Sequence, residues 1–554
     1  MARLGSSFLV AAALLVSPLL VFLRFHGASL VSGHALALAG ALLAAAAVAA
    51  LAAEARGAAS RAVVFGALAA LFAEWQSQSA LPVAAVAAAG LAGGAAAFAL
   101  RRQWSAAGAV AAAFLAASAL LPVGGGAPRV GAEGRGAEGA RAGVERVRDA
   151  GAAHARDASL PPVLVLVLDE HAGVEAIPAE FDPGAHRARE LRDAWLARGF
   201  RVFGRAYSRY FLSRDSFSAM FNDGDPTRVA GTQRRVFLGR NARFVELARR
   251  GYALRVIQTD YLDLCVEGRG FALESCRTFA LESPAALDGA SLPLAARARL
   301  LAGLFARLSS RLPAPETARV GALTGMDELD ALEREVTRLE PGVALVAHVM
   351  LPHFPYAWNA RCELVGDPAR WEHGAASDGG FAHFSEASRA RRYPPYLAQL
   401  ACTQARVARV LDALDANPAA RGAWVIALGD HGSRIASRRP SPREAEALTA
   451  DDLRDAFATF FAVRKPGHPA LYDRRLVPLD ALVPAALAPG ALPDDPSWAS
   501  PPRVVLSDLE REVEIALPAF ARPELAGDED AGARAAAGSE GAGRGAVELS
   551  RATP

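Results

Sequence analysis

Apolar and polar positions divide this chain unevenly. From residue 6 to 123 the sequence is almost continuously apolar, and beyond it apolar residues come in short runs between charged ones. Five apolar stretches stand out, at about 6–23, 33–53, 60–74, 81–100 and 106–123. A helix that crosses a bilayer needs ~20 such residues, within a range of ~17–25. Four stretches meet that length comfortably; the third counts only if Glu74 and Trp75 lie at the membrane interface. Further spans follow the first run, which argues against a cleaved signal peptide.

Between 161 and 523 short strand-like runs alternate with amphipathic segments. The 3–4 spacing of ELRDAWLARGF (190–200), AARARLLAGLFARLSSRL (295–312) and YLAQLACTQARVARVLDALDA (396–416) predicts helices. VLVLVLDEH (163–171), VALVAHVMLPH (343–353) and AWVIALGDHGS (423–433) predict strands buried on both faces. The expected fold is α/β, a mostly parallel sheet with helices on both faces, preceded by an N-terminal helical transmembrane region. In such sheets ligands gather at the carboxyl ends of the strands. The intervening 124–160 is rich in Gly, Ala, Arg and Glu and predicts a flexible linker with room for one exposed helix. The Gly-, Ala- and acid-rich 524–554 predicts a disordered tail. The expected organisation is therefore an anchor (1–123), a linker (124–160), a folded domain (161–523) and a tail (524–554).

Charge adds orientation. The formal net charge is +2, from 60 basic and 58 acidic residues, and gives no case for nucleic acid. With a cytoplasmic N-terminus and five spans, the inner segments carry Arg3, Arg56, Arg61, Arg101 and Arg102, and the outer loops only Arg24 and His26. Everything after 123 would then lie outside; four spans would leave it in the cytoplasm. The four cysteines, Cys265, Cys276, Cys362 and Cys402, all follow the anchor. An even number in an oxidising compartment predicts two disulfides, most simply Cys265–Cys276 and Cys362–Cys402, with three connectivities open. No C-x-x-C spacing supports a zinc site, and free buried thiols are the remaining alternative.

The three predicted buried strands run into metal-ligand residue types: Asp169, Glu170 and His171; His348 and His353; Asp430 and His431. An aspartate at one strand end is usually a turn or cap residue, and a lone histidine is usually a satisfied core or surface residue. Three strands of one sheet delivering such residues to one edge predict a site for one divalent metal ion. Carboxylate oxygen with imidazole nitrogen suits zinc or manganese; calcium or magnesium, the other candidates, favour all-oxygen shells. The hydroxyl-dense YSRYFLSRDSFSAMFNDGD (207–225) precedes a helix and could supply a nucleophile. The competing reading is that Ser213, Ser216 and Ser218 only cap that helix.

In this order, these residues resemble the sulfatase-like branch of the alkaline-phosphatase superfamily, over about 161–470 plus the anchor. The resemblance implies that Asp169 and Glu170 at the first strand end, with Asp430 and His431 of GDHGS, hold the metal. Aligning Ala219-Met220-Phe221 with the family's ending of the nucleophile segment implies Ser213 as nucleophile and Ser216 as a recurrent family serine. The membrane-anchored lipoteichoic acid synthases and phosphoethanolamine transferases of this branch have five spans and two histidines five residues apart. His348 and His353, with Pro355 following, match that pattern and imply binding of the departing or incoming ester group. Formylglycine-forming sulfatases use C/S-x-P-x-R, whereas Ser213 is followed by Arg214, Asp215, Ser216 and Phe217.

The expected function is that of a hydrolase or transferase in a bacterial inner membrane, multi-pass, with its catalytic domain outside the cytoplasm. It would act on phospho- or sulfo-esters of a lipid or envelope glycan through Ser213. Two alternatives stand beside it: a non-catalytic, membrane-anchored binding protein of the same fold, and a true sulfatase with formylglycine at 213. Arg434, after the DHG motif, would either bind the anion or simply be solvated.

Overall fold

The computed structural model describes residues 2–78, 80–120, 145–149, 156–227, 229–232, 235–266, 270–309, 319–372, 384–490, 492, 502–508 and 511–525. The chain forms two compact units. One comprises Met1–Arg146, Glu282–Thr324 and Leu364–Trp371; the other comprises Val147–Leu281, Gly325–Glu363 and Glu372–Pro554. Most of the expected linker and all of the expected tail from 526 lie outside the described residues.

In the first unit the apolar runs form helices α1 (Ala2–Phe25), α2 (Gly33–Glu54), α3 (Ala58–Ser77), α4 (Val83–Ala99) and α5 (Trp104–Leu120). Among the described residues four helices are long and apolar enough to cross a membrane: α1, α2, α3 and α4 with its continuation to Arg102. The short one is α5, with 17 residues, rather than the expected third. Helix α3 extends through Glu74 and Trp75 because Glu74 has a partner: its Oε1 accepts the Ser309 hydroxyl at 2.6 Å. Helices α3 and α4 touch through small residues, and a Cβ on Gly94 would stand 2.7 Å from the Ala62 carbonyl oxygen. One cluster of polar groups buried among the helices is paired, as an apolar surrounding favours. Glu54 accepts the Ser7 hydroxyl at 2.5 Å and pairs with Arg61 Nε at 2.9 Å, while Trp104 Nε1–H donates to Ser7 at 2.8 Å.

The second unit is built on a nine-stranded sheet. Its strand order is Glu145–Asp149, Leu273–Phe279, Ala253–Thr259, Val343–Val349, Val163–Leu168, Trp424–Gly429, Phe461–Arg464, Arg201–Tyr207, Leu471–Pro478. Residues 145–149, expected in the linker, are thus an edge strand. The three predicted strands are adjacent and parallel, with Val163–Leu168 in the middle; Leu168 lies level with Val349 on one side and Gly429 on the other. The parallel pattern breaks at Phe461–Arg464, which runs antiparallel to both its neighbours. Every residue of Val163–Leu168 is at most 1% exposed, so both faces of the sheet are covered. Val163, Val165 and Val167 join Phe217, Met220 and Phe221 of the helix Ser213–Phe221 in the core. Disulfides Cys265–Cys276 and Cys362–Cys402 form, in the simplest of the three pairings.

Candidate metal and nucleophile site

Because the three central strands are parallel and in register, their carboxyl ends place Asp169, Glu170, His348, Asp430 and His431 at one edge. Asp169 N–H bonds to the Val349 carbonyl at 3.0 Å, which ties the first strand end to the second. Glu170 turns the chain with φ 63°, a left-handed conformation that costs a non-glycine residue energy and concentrates at functional sites. Its N–H donates to Asp430 Oδ1 at 3.1 Å, and the His431 N–H donates to the same oxygen at 3.0 Å. Glycine is needed beside this turn: a Cβ on Gly432 would lie 2.4 Å from the Asp455 carbonyl oxygen.

Ser213 is the first residue of the helix Ser213–Phe221, where the positive end of the helix dipole lies. The competing cap reading is not what the geometry gives. The N-cap is Leu212, which has no side-chain cap, while Ser216 Oγ donates to the Asp430 carbonyl and Ser218 Oγ to the Asp225 carbonyl. Ser213 Oγ instead lies 3.2 Å from His431 Nε2 and 3.4 Å from Asp169 Oδ2.

Each histidine is oriented by its partners. His431 Nδ1 donates to the Gly432 carbonyl at 2.9 Å, and its Nε2 faces Ser213 Oγ and Asp430 Oδ2, each at 3.2 Å. His353 Nδ1 donates to the Phe354 carbonyl at 2.6 Å, and its Nε2 accepts from Arg434 Nη2 at 2.9 Å. His348 differs: fully buried against the Phe217 ring, it sends Nε2–H to Asp169 Oδ2 at 3.3 Å. His171 belongs to the core, donating through Nδ1 to the Ala172 carbonyl; burial lowers its pKa to about 4 and keeps it neutral.

Asp169, Glu170 and Asp430 are each at most 1% exposed, yet Asp169 Oδ1, Glu170 Oε2 and Asp430 Oδ2 have no hydrogen-bond donor among the described residues. Leaving buried carboxylate oxygens without donors is costly unless a cation meets them. Burial alone would push the Asp169 carboxyl up, and the N–H that His348 donates to it acts the other way. Asp430 moves up, through burial and then the charge of Asp169. Two sets of ligand atoms cluster within 4.8 Å, Asp169–Asp430–His431 and Asp169–Glu170–His353. The donors fit a divalent ion: buried carboxylate oxygens without hydrogen-bond donors, beside the imidazole of His431.

One contribution escapes the sequence, and one residue it singled out is engaged otherwise than expected. Tyr396 accepts Ala172 N–H at 2.9 Å and donates to the Glu170 carbonyl at 2.8 Å, holding the turn that aims Glu170. No motif marks it; only the Tyr-Pro-Pro-Tyr interruption of the helical pattern draws the eye. Arg434 is neither solvated nor open. Its Nε donates to Glu170 Oε1 at 2.7 Å and its Nη2 lies 2.9 Å from His353 Nε2.

The sequence matches no protein-family model and no curated protein. Among solved structures it is similar to a 2-O GAG sulfatase, at 16% identity over 63% of this chain and 77% of that one, with a TM-score of 0.38. It is also similar to the C-terminal periplasmic domain of EcEptC from Escherichia coli in complex with Zn, at 11% identity over 70% of this chain and 98% of that one, TM-score 0.37. A protein in the alkaline phosphatase superfamily from Vibrio parahaemolyticus matches at 11% identity over 66% of this chain and 78% of that one, TM-score 0.35. The structural neighbours of this chain thus include sulfatases and an alkaline-phosphatase-superfamily protein, the grouping its sequence motifs resemble.

Proposed function

We propose that this chain is a membrane-anchored, metal-dependent hydrolase or transferase of phospho- or sulfo-esters, with Ser213 as its nucleophile. The observation that carries the reading is the position of Ser213 Oγ. It sits between His431 Nε2 and Asp169, beside three buried carboxylate oxygens that lack donors.

Asp169, Glu170, Asp430 and His431 would hold one divalent ion, zinc or manganese by their donor types, with calcium and magnesium as the other candidates. When bound, such an ion polarises the ester and lowers the effective pKa of a neighbouring hydroxyl. Ser213 Oγ then bonds to phosphorus or sulfur as the ester oxygen leaves, and the helix end at Ser213 favours the charge that develops. The two histidines divide their roles. His353, with 13% of its side chain exposed, can reach a leaving or entering alcohol. His348, at 0%, positions Asp169 from beneath. Water or an alcohol would finally release the group from serine. The arginine distribution, with the shorter α5 taken as a fifth span, favours a catalytic unit outside the cytoplasm of a bacterial inner membrane, which makes a lipid or envelope-glycan ester the nearest substrate.

The test is metal content and ester cleavage of the full chain in detergent, beside Ser213→Ala, with chromogenic phosphodiester, phosphomonoester and sulfate substrates. Stoichiometric metal with Ser213-dependent cleavage is expected, and the preferred ester assigns the chemistry. A chain that binds no metal would sink the proposal. Metal with no cleavage and no transfer to added alcohols would favour a binding protein, and formylglycine at 213 by mass spectrometry a true sulfatase.

A further inference from the structure

The two ligand sets share Asp169 but are not equivalent. In Asp169–Asp430–His431, Asp169 Oδ1 and Asp430 Oδ2 lack donors and His431 Nε2 faces Ser213, with no cationic side chain on it among the described residues. In Asp169–Glu170–His353 a guanidinium already stands among the ligands. Arg434 reaches Glu170 Oε1 through both Nε, at 2.7 Å, and Nη2, at 2.5 Å, and the same Nη2 is 2.9 Å from the His353 lone pair. A lone pair can accept that N–H or bind a metal ion, not both at once. Arg434 carries its charge at every working pH, and its backbone is held at φ 55°, in the left-handed region.

We propose that Arg434 is a built-in cation in the second of two metal positions. The chain then binds one ion, and removing the guanidinium opens a second ion site at Glu170 and His353, bridged to the first by Asp169. This deepens the functional reading and rests on it. A substrate ester would lie between one metal ion and one guanidinium, an arrangement suited to the two non-bridging oxygens of an anionic phospho- or sulfo-ester.

The experiment is metal stoichiometry of the full chain in detergent, loaded with manganese and freed of loose ions, with electron paramagnetic resonance on the same samples. Wild type is expected to hold one ion with the spectrum of isolated Mn(II). Arg434→Ala should hold two and give an exchange-coupled spectrum. Arg434→Ala with His353→Ala should return to one, and Arg434→Lys, which keeps a cation, should stay at one and serve as the folding control. One ion in Arg434→Ala, two ions in wild type, or two ions without coupling would each overturn the proposal while leaving the metal-centre reading intact. No ion in wild type would overturn both.

Discussion

Ser213 Oγ lies 3.2 Å from Nε2 of His431, whose ring is fixed from the other side by Nδ1 at 2.9 Å from the Gly432 carbonyl oxygen. Hydroxyl and imidazole are therefore placed by different parts of the chain, a helix start and a strand end, and removing one leaves the other in position. Ser213→Ala is expected to retain its metal and lose turnover by at least ~10³-fold, since removing a nucleophile abolishes the covalent route. Single-turnover kinetics beside metal analysis would check this. Activity within tenfold of wild type would require another nucleophile.

Gly432 allows the strand end to pass close to its neighbour. A Cβ there would stand 2.4 Å from the Asp455 carbonyl oxygen and 2.8 Å from the Ala456 carbonyl carbon, both backbone atoms that cannot swing away. Gly432→Ala should cost about 1–3 kcal/mol through overpacking. Because the displaced segment carries Asp430 and His431, metal affinity should fall with it. Isothermal titration with zinc would check the second effect, and an unchanged affinity would separate the glycine from the site.

The edge that gathers Asp169, Glu170, Asp430 and His431 was legible because buried parallel strands leave a plain trace. VLVLVL reads as apolar on both faces, so the Asp169 and Glu170 that follow had to stand at its end, and the same holds for Asp430 and His431 after WVIALG. Arg434 was less legible, because its engagement depends on a left-handed φ and on a partner 264 residues away. The helix over 396–416 was expected, but it runs from Glu386 to Asp415, through Pro394 and Pro395. Local rules stop a helix at such a pair. Here burial of Arg392, Tyr393 and Tyr396 outweighs them, and the extension brings Tyr393 to Ser433, one turn before the Tyr396 that braces Glu170.

Glu175 makes a pH-dependent contribution away from the site. Its buried carboxylate accepts from Arg474, Arg205, Tyr472 and the Arg522 N–H, at 2.8–3.1 Å. Burial would raise its pKa, but Arg474, the Arg522 amide and Arg205 together lower it. A lowered folded-state pKa means stability that is full above the unfolded value of ~4.3 and is lost as pH falls through the folded value. Glu175→Gln should therefore destabilise the chain at pH 7, by about 3–5 kcal/mol for a broken buried pair. The gap from wild type should narrow as the pH drops below ~4. Unfolding midpoints of both proteins across that range would decide it, and a gap independent of pH would show that charge is not the cause.

The disulfides test stability and location together. Cys362–Cys402 closes 40 residues of separation and Cys265–Cys276 closes 11. By loop entropy these contribute about 4 and about 3 kcal/mol respectively, so Cys402→Ser should lower the unfolding midpoint more than Cys276→Ser. Such bonds persist only where thiols are kept oxidised. Chain taken from intact cells under alkylating, non-reducing conditions should thus carry no labelled cysteine, and labelling at all four should appear only after reduction and unfolding. A catalytic unit facing the cytoplasm would label without reductant, once unfolded. That result would reverse the five-span orientation and, with it, the envelope substrate proposed for the enzyme.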